Sequence, residues 1–284
     1  PIFMGASKSS DNYEYENLNW WINKKSGNIQ IYPKVSLKKL YFKSHGSGTV
    51  GKTWNDHHEL FFQLANKYLK GNICEIGGGN NSILNKIKNF SKIKKFYSFD
   101  RNLHLKKSNK KVIKIKKFFD KNFFKLNKNH KVDLVLHSHT FEHLYNPNQF
   151  LKDVSSILSK NGKHVFTMPN MKPMIKKGYA NAMNFEHPFY YDEKLVDSLL
   201  LKNNFEIIRK QLFKKDHSIM YVTKLNSFST KSDKSKLKTY SEYKKNLKLF
   251  EGMFNFWKRD VKQINKLTKK YKSIFIFGAH IFSQ

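Results

Sequence analysis

A single cysteine, Cys74, in 284 residues excludes an intramolecular disulfide and leaves no thiolate cluster that could hold zinc. Acidic residues are also scarce, 21 against 54 basic ones, for a formal charge of +33. Such an imbalance raises a phosphate-rich partner such as nucleic acid. Yet lysine far outnumbers arginine, is scattered from end to end, and arrives with abundant Asn, Ile, Phe and Tyr. Base readout and bidentate phosphate forks favour arginine. The charge therefore reads as the imprint of an AT-rich genome, compatible with an anionic small substrate, and nucleic acid is not the expected partner. No apolar run approaches the roughly 20 residues of a membrane span, and no signal-peptide pattern follows residue 1. A soluble, cytoplasmic protein is the expectation. The sequence opens on Pro1 in place of methionine and stops within "SIFIFGAHIFSQ", which reads as the beginning of an element.

What is present suits a globular fold. The hydrophobic fraction of 39% is modest, but aromatic residues make up 15%, so rings must carry much of the burial. Residues 1–53 read as an irregular leading module, with short strands and turns around Gly27 and Pro33. "WNDHHELFFQLANKYL" has helical spacing, with His57 and His58 as part of a polar helix start. Strand and helix signals then alternate. "NICEI", "KKFYSFD", "KVIKIKKFF", "VDLVLHSH" and "GKHVFTMPN" read as strands, with "SILNKIKNF", "NPNQFLKDVSSILS" and residues 188–204 as helices. "FEIIRKQLF" and "SIMYVTKL" read as an antiparallel closing pair. The pattern predicts an α/β, Rossmann-like, doubly wound and mostly parallel sheet across residues 54–226. Residues 227–284 read as a Ser/Thr/Lys-rich linker, a long basic helix to Lys270, and the terminal strand "SIFIFGA".

In "NICEIGGGNNS" three glycines, Gly77, Gly78 and Gly79, follow a short apolar strand that carries Glu75. In a doubly wound sheet the first such turn must let ligand and backbone approach closely. Ser82 stands where a nicotinamide-type fingerprint wants its last glycine, so that match is incomplete. Asp100 closes the second strand about twenty residues further on, where a carboxylate accepts the hydroxyl protons of a ribose. Together these features point to a nucleoside-containing ligand without an obligatory pyrophosphate, with Glu75 near a cationic group.

At these residues the chain resembles the class I S-adenosylmethionine-dependent methyltransferases. "EIGGGN" is similar to their first glycine motif, "FYSFD" to their ribose-binding strand end, and "VDLVLHSHTFEHLYNPNQFLKDVSSILSKNGKHVFTMPN" to their fourth strand, helix and fifth strand. The resemblance implies S-adenosyl-L-methionine as cofactor. Glu75, Gly77, Gly78 and Gly79 would lie at its methionine end, Asp100 at the ribose, Phe118 and Phe119 at the adenine, and Ser138 and His139 beside the sulfonium. A narrower resemblance is to the nucleotide-sugar C-methyltransferases, which pair a leading module with such a core and a further lobe. Where that family's module carries a cysteine pair, this sequence has Asn23 and Ser26, so no metal is expected.

Methyl transfer from a sulfonium asks for an aligned acceptor and a base where the acceptor carries a proton. "FEHPFYY" follows the fifth strand, and its Glu186-His187 pair resembles the acid-histidine pair of the sugar C-methyltransferases. The alternative for His187 is a cap on a helix starting near Pro188. His143 in "TFEHL" is a further catalytic candidate. Tyr41, His45 and His217 are candidates to contact the acceptor. The expected function is methylation of a sugar or nucleotide-linked sugar at carbon or oxygen. A nucleic-acid methyltransferase, which lacks an Asn-Pro-Pro-Tyr type motif here, and a catalytically silent binding protein are the alternatives.

Overall fold

The computed structural model describes residues 2–3, 15–40, 51–79, 83–103, 109–126, 131–226 and 242–273. Tyr41, His45, Ser82, the linker 227–238 and most of "SIFIFGA" lie outside them. In chain order the elements are β1 (Ile2–Phe3), β2 (Tyr15–Glu16), β3 (Trp20–Ile22), β4 (Ile29–Ile31), α1 (Leu37–Leu40), α2 (Lys52–Asn66), β5 (Gly71–Ile76), β6 (Ile93–Phe99) and β7 (Val112–Ile115). They continue with α3 (Asn122–Leu126), β8 (Val132–Ser138), α4 (Pro147–Ile157), β9 (Leu158–Pro169), α5 (Met171–Lys176), α6 (Glu193–Lys202), β10 (Phe205–Phe213), β11 (Ser218–Leu225) and α7 (Tyr243–Lys270). Two compact units result. One comprises Gly46–Pro169 and Glu193–Lys238, the other Pro1–His45, Asn170–Asp192 and Thr239–Gln284.

The first unit is built on a seven-stranded sheet of order β10-β11-β9-β8-β5-β6-β7. Strands β9, β8, β5, β6 and β7 run parallel, and β11 runs antiparallel between β9 and β10. This is the α/β, doubly wound arrangement that the alternating signals predict. The central strands are apolar runs because both faces are covered: along β8, Val132, Leu134, Val135 and Leu136 have no exposed surface. Helix α4 shows how local chemistry sets an end. Asn146 caps it by accepting from the Gln149 amide at 3.0 Å, Pro147 occupies the first turn, and Phe150, Leu151, Val154 and Ile157 form its buried face.

"SILNKIKNF" does not form the predicted helix. Among its described residues there is one 3-10 turn, Ile83–Lys86, because Ile83, Leu84 and Ile87 bury without further helix and Asn89 accepts from the Ser91 amide to close a turn.

Two histidines stand inside the sheet. His137 on β8 and His164 on β9 are fully buried, with their Nε2 atoms 2.8 Å apart, a bond that two neutral imidazoles of opposite tautomer make. Burial pushes His164 down to about 3 and His137 well below its usual value, with His164 adding to the latter. The unfolded chain takes up protons at these residues near pH 6.5 while the folded chain does not. Their contribution to stability is therefore complete above about pH 6.5 and is lost as pH falls toward about 3. The thermal midpoint is expected to decline steadily on acidification from pH 7, and a His137→Leu/His164→Leu variant to show a shallower decline. An unchanged slope in that variant would assign the acid sensitivity elsewhere.

The second unit joins three stretches of chain. The β3–β4 hairpin closes on Asn23, whose side chain accepts from the amides of Lys25 and Ser26 at 3.0 and 2.9 Å. The Ser26 hydroxyl accepts from the Asn28 amide at 3.2 Å. These two positions thus serve a tight turn. Residues 188–190, predicted as the start of a helix, are instead extended. Pro188 accepts from the Ile31 amide and the Tyr190 amide donates to Ile29, both at 3.0 Å, which lays the segment along β4. The helix after it, α6, begins only at Glu193. Helix α7 is held by buried Asn246, which donates to the Gly27 carbonyl at 3.0 Å, by Phe250 against Trp20 and Tyr190, and by Trp257 donating to the Gly178 carbonyl at 2.8 Å. Among the described residues no helix is long and apolar enough to cross a membrane.

Candidate active site

From β5 the chain moves outward through β6 to β7, then returns to place β8 on the opposite side of β5. The strand order therefore reverses between β5 and β8, and ligands of open α/β sheets bind at the carboxyl ends of the strands beside such a reversal. Gly77 follows β5 there with φ of 70°, and its amide donates to Phe99 at 2.8 Å. A Cβ at Gly77 would collide with the Thr140 hydroxyl, which is itself tied to the carbonyls of Ile76 and Ser138 at 3.3 Å. Bare backbone is thus required at this turn. Gly78 continues it, and Gly79, at φ of 48°, donates its amide to Asp100 Oδ2 at 2.9 Å. Asp100 stands just past β6, and its Oδ1 accepts from the Asn102 amide at 2.7 Å. The two carboxyl-end features legible in the sequence meet in one crevice. Glu75, 4% exposed, accepts from the Ile83 amide at 2.6 Å and so closes the glycine turn from within. Phe119 packs edge-on against Phe99 at 5.5 Å, while Phe118 is exposed with the Arg101 guanidinium 5.6 Å from its ring centre.

Across the reversal, Ser138 ends β8 and His139 follows at φ of 49°, its amide donating to Thr167 at 2.9 Å. His139 Nδ1 lies 3.1 Å from Oε1 of buried Glu142, and its Nε2 lies 2.9 Å from the Ser218 hydroxyl. That hydroxyl is also 2.6 Å from His217 Nδ1. His143 closes a single helical turn, Phe141–His143, with Nε2 4.0 Å from Glu142 Oε1. His57, expected at a polar helix start, is fully buried and places Nε2 3.1 Å from the Thr167 hydroxyl. It is buried because His57, Phe61, Leu64 and Ala65 share the i, i+4, i+7, i+8 face of α2 that turns inward. That spacing was available in the sequence, but a histidine pair after Asp56 reads as polar. Trp54 packs edge-on against His57, His139 and His217, with ring centres 5.4, 4.8 and 4.6 Å away. Burial first, and neighbouring imidazoles second, lower His57 to about 2 and His58 and His217 to about 4, so all three are neutral at neutral pH.

In the other unit, Glu186 and His187 occupy a turn organised by Asn184. The Asn184 side chain accepts from the amides of Glu186 and His187 at 2.9 and 3.0 Å. The residues beyond are laced to β4, with Phe189 bridging to Gln30 and the Lys34 ammonium 4.2 Å from the Phe189 ring centre. His187 therefore does not cap a helix.

A methyltransferase domain family matches residues 53–210, more than half of the chain. The chain belongs to that methyltransferase family. Its cofactor is S-adenosylmethionine. Solved structures that resemble the methyltransferase include an S-adenosylmethionine-dependent methyltransferase of Mesorhizobium loti, at 12% identity over 62% of this chain and 100% of that one, with a TM-score of 0.46. Another, from Clostridium acetobutylicum, is 14% identical over 67% of this chain and 96% of that one, with a TM-score of 0.43. No curated protein matches the sequence. The crevice of the methyltransferase fits such a cofactor on its own geometry, since Gly77 and Gly79 leave the turn without side chains and Asp100 brings a carboxylate to the same place.

Proposed function

We propose that this methyltransferase acts on a sugar or a nucleotide-linked sugar, at carbon or oxygen, in the manner of the nucleotide-sugar C-methyltransferases that the sequence resembles. The observation that carries the reading is the joining of two acceptor-side features. In the resemblance both the leading module and the acid-histidine pair serve the acceptor, and here the β3–β4 hairpin and the segment after Glu186-His187 are hydrogen-bonded to each other within one unit. The strong positive charge suits an anionic nucleotide sugar.

S-adenosylmethionine supplies an electrophilic methyl group on its sulfonium. The residues proposed to hold it are Glu75, Gly77, Gly78 and Gly79 at the methionine end, Phe118 and Phe119 at the adenine, and Ser138 and His139 at the lip. Asp100 would accept the ribose hydroxyl protons, since a carboxylate with about four acceptor positions takes these donors together with the Gly79 and Asn102 amides. His187 is the proposed general base, oriented by Glu186, with His143 as its rival. His217, Tyr41 and His45 are proposed on the acceptor side. Incubation with S-adenosylmethionine and a panel of nucleotide sugars, including 4-keto sugars, followed by mass measurement, tests the reading. A sugar product heavier by one methylene is expected. Methylation of an RNA or DNA oligomer alone, with the steep salt dependence of phosphate tracking, would replace the sugar with nucleic acid.

A further inference from the structure

We infer that His57, His139 and His217 form a binding site for zinc. The three imidazoles come from separate parts of one compact unit: the first turns of α2, the residue after β8, and the turn between β10 and β11. Each offers a ligand atom, and these atoms all lie within 4.8 Å of one another. Tetrahedral zinc with bonds of about 2.1 Å sets its nitrogen ligands about 3.4 Å apart, so small ring rotations complete the geometry.

Three further observations favour a metal over simple packing. His139 Nε2 and His217 Nδ1 converge on one point, now marked by the Ser218 hydroxyl at 2.9 and 2.6 Å. The other nitrogen of His139 faces Oε1 of Glu142, a residue 1% exposed, at 3.1 Å. A carboxylate behind a ligating histidine is the usual way to fix its tautomer and orientation toward a metal. Finally, His57 has no exposed surface, and its Nδ1 has no hydrogen-bond partner among the described residues. A buried polar nitrogen left unmade is costly, and coordination through that atom would satisfy it. Three imidazoles without thiolate suit zinc, and a three-histidine set leaves a fourth position for a water or hydroxyl oxygen. Neither the lone cysteine nor Asn23 and Ser26 bears on this set, and residues 57, 139 and 217 are too far apart in sequence to form a spacing motif.

The test uses the untagged full chain, stripped with chelator and titrated with zinc by calorimetry, with elemental analysis of the washed protein. One zinc per chain is expected. His217→Ala, in a half-buried turn, should weaken zinc binding at least a hundredfold, and Glu142→Gln tenfold to a hundredfold. His58→Ala, outside the set, should bind as the parent does. Cobalt substitution should give the absorption of a tetrahedral site and lose it in His217→Ala, with thermal unfolding showing that each variant folds. Substoichiometric zinc, or zinc binding that survives in folded His217→Ala, overturns the proposal.

Discussion

Gly77→Val is expected to weaken S-adenosylmethionine binding at least tenfold, about 1.4 kcal/mol. Two physical causes act together. The backbone there has φ of 70°, a conformation in which a β-branched side chain is strained, and any Cβ meets the Thr140 hydroxyl. Thr140 cannot yield without giving up its bonds to Ser138 and to Ile76, the latter tying the turn after β8 to the end of β5. The turn must therefore move, and it moves in the place where the cofactor is proposed to lie. A calorimetric titration read beside a thermal unfolding curve separates lost binding from lost fold. Unchanged affinity in a folded Gly77→Val protein would remove the glycine turn from the cofactor site.

His187→Ala is expected to lower turnover roughly a hundredfold to ten-thousandfold, the usual worth of a general base, with S-adenosylmethionine affinity unaltered. A neutral imidazole accepts a proton without prior activation. At a carbon beside a sugar ketone, that proton transfer gives an enolate; at a hydroxyl the same base takes the proton later, as the methyl group arrives and the oxygen becomes acidic. Glu186→Gln should cost less, because its proposed role is only to orient the ring of His187. Near-normal turnover in His187→Ala would hand the role to His143 or His45.

Much of the parallel sheet was legible because its signals are local. Buried parallel strands such as "VDLVLHS" are continuous apolar runs, and the glycines and Asp100 declare themselves by their places at strand ends. The closing pair "FEIIRKQLF" and "SIMYVTKL" coincides with β10 and β11. What stayed hidden was long-range. Residues 188–190 have the composition of a helix start, and only their bonds to Ile29 and Ile31, far away in sequence, hold them extended. The histidine cluster depends on three elements folding to one place, and the burial of His57 is decided by the inward face of α2, not by its polar neighbours. Asn23 and Ser26 read as losses from a cysteine pattern, whereas the structure uses both to close the hairpin.

The central claim is that the crevice between β5 and β8 holds S-adenosylmethionine, with Asp100 on the ribose. Calorimetric titration of the chain and of Asp100→Ala with S-adenosylhomocysteine tests it most directly. One-to-one binding to the parent, weakened at least tenfold in a folded Asp100→Ala variant, is the predicted result. Equal affinity in the two proteins, or no binding to the parent, would contradict it.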